Sequence, residues 1–306
     1  MTQRYDKKVI YGQAPTNLLH VTALAQGTGM SKLRILTIHI LILLGGFLPV
    51  ATAYGAPAAD LWPRWQKHDQ DSLIVVDYID WDLILHRYIN TNHPSGINRF
   101  AYSKVSEKDH MALKGQLQKM QAVEVSSLNR SEQKAFWINL YNGLTIDIIL
   151  DHYPVKSIRT INLSPGIFSK GPWGAKLLKI EGQELSLNDI EHRILRPIWG
   201  DNRVHYALNC ASLGCPNLQP KAYTPQNLEQ MLEKAARDYI NHPRGVTFAR
   251  NKLMVSSIYF WFQADFGDSE KGVIQHLKKY LSPENLKKLK TQGKNIIHRY
   301  DWNLNE

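Results

Sequence analysis

Both cysteines of this 306-residue chain fall in one stretch, "HYALNCASLGCPNL", which runs from His205 to Leu218. Cys210 follows the histidine by five residues and Cys215 follows Cys210 by five more. Three chemistries are open to such a group. The cysteines can close a disulfide, which an oxidising compartment favours, and so short a ring contributes about 2 kcal/mol through loop entropy. Alternatively, Cys215 can act as a thiolate nucleophile with His205 as its base, given a lowered thiol pKa and a third group that orients the imidazole. Asp265, Asp301 and Asn142 are candidates for that third group, and no spacing selects one of them. Finally, His205, Cys210, Cys215 and His192 carry the donor types that zinc prefers, but a second closely spaced ligand pair is missing. The disulfide Cys210–Cys215 is the default, and no metal or other cofactor is expected.

Local pattern bears on these choices. Alternation over "RVHYALNCA" predicts a strand with His205, Ala207 and Asn209 on one face and Cys210 on the other. That aims Cys210 away from His205 and leaves Cys215, in the following loop, able to fold back. A cleft is expected around His205. Its catalytic candidates are His205, Cys215 and Asp265, and its binding candidates are Asn139, Asn142, Asn209 and Trp261.

The elements that must position these residues can be read from periodicity. Asn129 and Glu132 have capping-box spacing before "EQKAFWINLYNGLTIDIILDHY", a helix apolar almost all round that ends before Pro154 and is therefore a buried core helix. Asn139 and Asn142 share one face of it. Buried amides need partners, so these asparagines either hold neighbouring loops or wall a site. Residues 107–128 read as a helix with Met111, Leu113, Leu117, Met120 and Val123 on its apolar stripe, and "DYIDWDLILHRYI" reads as another, with Leu83 among its apolar residues. "RFAYSKV" and "KSIRTI" read as strands. "LLKIEGQELSL" reads as a hairpin around Glu181-Gly182, and "GVTFARNKLMVSS" as one turning at Arg250-Asn251-Lys252. Ser186 caps "LNDIEHRILRPIW", where Glu191 and His192 read as surface or capping residues. "SIYFWFQADFG" is a short aromatic helix stopped by Gly267, with Tyr259, Phe260, Trp261, Phe262 and Phe266 read as core. A helix begins near Thr224, and two more span residues 270–281 and 283–291 before a terminal strand.

Composition excludes several classes. Hydrophobic residues at 43% and charged residues at 21% are those of a globular protein, not a disordered or fibrous one. There is no glycine-rich phosphate loop, no Gly-x-Ser-x-Gly elbow and no His-Glu-x-x-His helix. From Met30 the chain has the form of an export signal: Lys32 and Arg34, an apolar run from Ile35 to Val50, then Ala51-Thr52-Ala53. Residues 30–53 are therefore expected to be a cleaved signal and residues 1–29 an extension ahead of the true start. Residues 54–60 would form a linker, and 61–306 one domain, periplasmic or secreted. An uncleaved signal would be its only hold on a membrane. Removing residues 1–53 takes away five basic residues (Arg4, Lys7, Lys8, Lys32, Arg34) and one acidic (Asp6), lowering the net charge from +10 to +6. Lys278-Lys279 and Lys287-Lys288 lie at helical spacing and read as solvated faces. Nucleic acid is not an expected partner, and the sequence names no other.

The segments "AFWINLYNGLTI", "YPVKSIR", "GPW", "LSLNDIEHRILRP", "HYALNCASLGCPNL" and "SSIYFWFQADFG", in that order, resemble domain-of-unknown-function family 547 in its bacterial exported type, over about residues 130–268. The order of elements also resembles a papain or transglutaminase-like core, although the buried helix here carries no cysteine. The fold expected is α+β, a single globular domain whose central helix packs on a mostly antiparallel sheet. The resemblance implies a hydrolase or acyl-transferase of cysteine-protease-like ancestry. The alternative is a non-catalytic binding or envelope-scaffold module with a structural disulfide.

Overall fold

Side-chain caps set where the main helices begin. The Asn129 carboxamide oxygen accepts from the Glu132 backbone N–H at 2.9 Å and opens α3, Arg130–His152. The Glu132 carboxylate does not close the box. It is buried, and it accepts from the Val76 N–H at 3.3 Å and the Tyr78 hydroxyl at 3.4 Å, drawing the preceding segment over the helix. The computed structural model describes residues 56–166, 169–249, 252–292 and 295–306. The expected extension, the export signal, the start of the linker, and Arg250 and Asn251 of the hairpin turn lie outside the described residues.

The chain forms an α+β domain. Ahead of α3 come α1 (Ile79–Tyr88), a two-stranded ladder of β1 (Ile89–Asn90) and β2 (Arg99–Phe100), and α2 (Glu107–Gln121). After α3, β3 (Leu178–Ile180) and β4 (Gln183–Leu185) form the expected hairpin, its turn made by Glu181 and Gly182, both at positive φ. A π-helical turn, Asp189–Leu195, runs into α4 (Arg196–Trp199). Then follow α5 (Leu228–Asn241), β5 (Val246–Ala249), β6 (Lys252–Ser256), α6 (Ile258–Trp261), α7 (Glu270–Tyr280), α8 (Pro283–Gln292) and β7 (Asn295–Arg299). The last sheet has the order β5-β6-β7, antiparallel at the first pairing and parallel at the second. Gly267, at φ 99°, ends the aromatic segment as expected. No helix among the described residues is long and apolar enough to cross a membrane.

Two apolar clusters make the core. One gathers α1, α2, α3, the hairpin β3–β4 and the π turn; the other gathers α5, β5, β6, α6 and α7. α3 is buried through most of its length, and its main neighbours are α2 and the π turn rather than a broad sheet. The segment from Tyr206 to Ala211 lies at the seam, because Tyr206 belongs to the second cluster and Ala207, Leu208 and Ala211 to the first.

That seam departs from the sequence expectation. Asn202–Tyr206 is a 3₁₀ turn, not a strand, started by the Asp201 side chain accepting from the Arg203 N–H at 3.0 Å. A strand needs a neighbouring ladder, and here amide side chains take the ladder's place (below). His205 and Cys210 are thus not related by strand alternation. The strand-borne histidine that prompted the papain comparison is absent among the described residues. The "KSIRTI" strand is likewise a 3₁₀ turn, Ile158–Thr160, capped by Ser157, and "RFAYSKV" keeps only β2 before a 3₁₀ turn at Tyr102–Lys104. Met111 is exposed because it lies about 200° around α2 from Leu113, off the stripe of Leu113, Leu117 and Met120. Leu83 is exposed on α1 as well.

Candidate functional site

The π turn is the first element of the site. Ser186 and Asp189 cap it reciprocally: the Ser186 N–H donates to the Asp189 carboxylate at 2.7 Å, and the Asp189 N–H to the Ser186 hydroxyl at 3.2 Å. At its far end the Arg196 N–H donates to the Glu191 carbonyl, five residues back. Closure at that spacing brings residues 191 and 196 nearly into line along the turn, where an α-helix would splay them. Glu191 and His192, which local pattern reads as surface or capping residues, are buried on this turn, as is Arg196.

Arg196 and His205 converge on Asp265. The Arg196 guanidinium makes a forked pair with the carboxylate, Nε to Oδ2 at 2.5 Å and NH2 to Oδ1 at 3.1 Å. His205 Nε2 lies 2.6 Å from Asp265 Oδ2. Burial opposes ionisation of Asp265, but the hydrogen bonds from His205 and Arg196 outweigh it and hold the carboxyl well below the usual carboxylate range. The carboxylate is therefore the acceptor and His205 Nε2 carries a proton. The imidazole stacks on Phe262, with centroids 4.1 Å apart, and its side chain is 1% exposed. His205 Nδ1 has no hydrogen-bond partner among the described residues, and the Glu191 carboxylate stands 3.7 Å from it. Burial, joined by the positive charge of Arg196, holds the His192 imidazole below its ordinary pKa. Of the three groups that sequence offered to orient His205, the structure pairs it with Asp265.

The asparagines make a different kind of contact. Asn139 donates to the Tyr223 carbonyl at 2.7 Å and accepts from the Tyr223 N–H at 2.9 Å. Asn142 donates to the Ala207 carbonyl and accepts from the Asn209 N–H, both at 2.9 Å. Each carboxamide thus satisfies one donor and one acceptor of a buried loop, as a neighbouring strand would. Asn209 continues the chain of contacts, donating to the Pro216 carbonyl at 2.7 Å and accepting from the Ala211 N–H at 2.8 Å. These amides hold the loop that carries the cysteines.

Cys210 and Cys215 are joined by a disulfide, with Cα atoms 6.2 Å apart. The Cys210 N–H donates to Cys215 Sγ at 2.9 Å, and the Tyr300 hydroxyl lies 3.0 Å from Cys215 Sγ and 3.1 Å from Cys210 Sγ. The C-terminal tail clamps the loop: Leu213 N–H donates to the Asn303 carbonyl and Gly214 N–H to the Asp301 carbonyl, each at 2.8 Å. Only glycine fits at 214, since a Cβ there would stand 2.8 Å from the Asp301 nitrogen. While the sulfurs are bridged, neither is available as a thiolate or as a ligand to zinc.

A cleft of about 870 Å³ opens between these elements. His205, Cys215 and Trp261 line it, as do Cys210, Glu191 and His192. Asp265 supports His205 without lining the cleft, and Asn139, Asn142 and Asn209 do not line it. Its walls are strongly aromatic. Trp261, Tyr300 and Trp302 pack on one another at 4.6–5.5 Å, Trp173 meets Trp302 edge-on at 5.8 Å, and Phe262 completes the side beside His205. The aromatic segment is therefore split: Tyr259 and Phe266 are core, Trp261 and Phe262 face the cleft, and Phe260 is exposed. Trp173 and Arg159 end the family-like segments "GPW" and "YPVKSIR", while Tyr300 and Trp302 lie in none of the quoted segments, and no spacing singled out any of the four as a site residue. Elsewhere, His110, Asp147 and Asp151 bring ligand atoms within 4.8 Å of one another, and Lys114 pairs with both carboxylates, at 2.9 and 2.8 Å.

Fold and cleft define an α+β domain with an aromatic cleft walled in part by a disulfide loop. Residues 125–240 match the family described as "Protein of unknown function, DUF547", which places this segment, from just before α3 to nearly the end of α5, in that family. The match takes in His205, both cysteines and the π turn, and stops short of Trp261 and Asp265. No curated protein and no solved structure matches the chain.

Proposed function

We propose that this chain is an exported, non-catalytic ligand-binding domain whose ligand site is the aromatic cleft beside His205. The observation that carries the reading is the Cys210–Cys215 bridge in the wall of that cleft. It removes the nucleophile that a thiol enzyme would need and stiffens the loop between His205 and the tail. A cleft of this volume, with six aromatic side chains in its lining alongside convergent polar groups, has the character of a small-molecule site.

Trp173, Trp261 and Trp302 provide the test. Titration of the purified, oxidised protein with panels of saccharides, peptides and small metabolites should find a class that changes tryptophan fluorescence, and Trp261→Ala should weaken it at least tenfold. Intact mass after alkylation should show no free thiol. A protein matured in an oxidising compartment that presents free thiols, with an electrophile labelling Cys215 only while His205 is intact, would sink the reading. That result would favour the second one, a hydrolase or acyl-transferase, for which the His205–Asp265 pair in the same cleft is the supporting observation.

A further inference from the structure

A disulfide that serves only as a staple has no need of an open face or of hydrogen-bond donors at its sulfurs, and this one has both. The two sulfur-bearing residues line the cleft, and they differ in access: Cys215 is buried, whereas Cys210 is partly exposed. The one backbone donor goes to the buried sulfur, and a hydroxyl reaches both. The Cys210 N–H reaches Cys215 Sγ at 2.9 Å and the Tyr300 hydroxyl at 3.0 Å. The Tyr300 hydroxyl also lies 3.1 Å from Cys210 Sγ, so it can follow the developing charge to whichever sulfur departs, and the Ser212 hydroxyl donates to the Tyr300 oxygen at 3.1 Å and lies 3.3 Å from Cys210 Sγ. Thiol–disulfide exchange is favoured when the departing sulfur is stabilised as a thiolate, and these contacts stabilise one at Cys215.

The cleft also carries a charge preference. Arg159 and Lys170 line it, and among the described residues neither has a carboxylate within salt-bridge distance. The Arg159 guanidinium is held over the Trp302 ring, 5.1 Å from its centroid. Two cations against one carboxylate, Glu191, in the same cleft as the open disulfide suit an anionic reactant.

We propose that the cleft admits a low-molecular-weight thiol bearing a carboxylate, and that this thiol exchanges with the Cys210–Cys215 disulfide. The proposal rests on the cleft being a ligand site and assigns its reactant. The incoming thiolate attacks Cys210 Sγ. A sulfur–sulfur bond forms there as the Cys210–Cys215 bond breaks, and the electron pair departs on Cys215 Sγ beside the Tyr300 hydroxyl. A second thiolate then attacks the ligand sulfur of the mixed disulfide and releases Cys210. In sum, two thiols are oxidised to one disulfide, the protein disulfide takes up the two electrons, and the two thiol protons end on the cysteines.

The test uses the full-length oxidised protein under native conditions with glutathione as the probe, followed by acid quenching, alkylation and intact mass. Rates are normalised to an unfolded peptide holding the same Cys210–Cys215 ring. Glutathione should open the native disulfide, and by comparison with cationic cysteamine its normalised rate should be several-fold higher. Arg159→Gln combined with Lys170→Gln should remove that preference. Tyr300→Phe should slow opening by up to about tenfold, as loss of one hydrogen bond to a developing charge implies. In Cys215→Ser, oxidised glutathione should leave one glutathione on Cys210. A native disulfide that glutathione opens only after urea is added overturns the proposal. So does a wild-type protein that treats glutathione and cysteamine alike after normalisation. S-methylglutathione, which cannot exchange, separates the two levels. If it quenches the cleft tryptophans while glutathione leaves the disulfide intact, exchange is refuted and the ligand site stands; if it neither binds nor is matched by exchange, both fall.

Discussion

Replacing Asn142 by alanine tests whether side-chain amides really stand in for a strand at the seam. The side chain is 3% exposed and makes two 2.9 Å bonds, one to the Ala207 carbonyl and one from the Asn209 N–H. Truncation strands a buried acceptor and a buried donor, each at about 1–3 kcal/mol, so the loss should be about 4 kcal/mol in all. For a domain of this size that corresponds to a fall in Tm of roughly 8–16 °C. Urea and thermal unfolding followed by circular dichroism would measure it. Asn142→Asp keeps the volume and the acceptor while losing the donor to Ala207, so it tests the two bonds unequally and should also destabilise. A loss below about 1 kcal/mol for Asn142→Ala would mean that the loop carrying His205 and Cys210 is held by other contacts, and the argument would fail.

Arg196→Met should destabilise by about 3–5 kcal/mol, because it leaves Asp265 charged and half-paired beside His205; adding Asp265→Asn should recover part of that loss, and a double-mutant cycle would show the coupling. The serine pair Cys210→Ser/Cys215→Ser should lower stability by about 2 kcal/mol, read as a shifted urea midpoint. Burial, aided by Lys279 and His205, pushes the His276 pKa down to about 4, whereas an unfolded histidine titrates near 6.5. The unfolded chain therefore binds the extra proton first: stability should be full above about pH 6.5 and decline as pH falls toward 4, and His276→Gln should flatten that slope in urea titrations. Asp265 acts in a lower window. Its depressed pKa contributes stability above about pH 4 that is lost as acid protonates it, and Asp265→Asn should remove that part of the acid sensitivity.

Much of the local structure was readable from neighbouring residues. The Asn129 cap, the Glu181-Gly182 turn, the Gly267 stop and the buried character of α3 each follow from contacts within a few residues, and each is present. The failures share a cause. The alternation at 203–211 satisfies the rule for a strand, but a strand also requires a partner edge, and the folded chain supplies Asn142 there instead. Met111 and Leu83 are apolar without being buried, because apolar character reports that a face exists and not where its partner lies.

The candidate site divides along the same line. Sequence alone determined that two cysteines share a short loop behind a histidine, that an apolar helix carries two asparagines on one face, and that aromatic residues cluster before Gly267. Tertiary structure alone decided that His205 meets Asp265, sixty residues away, with Arg196 completing the pair. It also brought Tyr300 to the sulfurs across 85 residues of chain and turned Glu191 inward on a π turn. Short-range steric and hydrogen-bond preferences are written in consecutive residues. Which buried charge meets which is settled only when two cores close on a common seam and each polar group must find a partner in the space that remains.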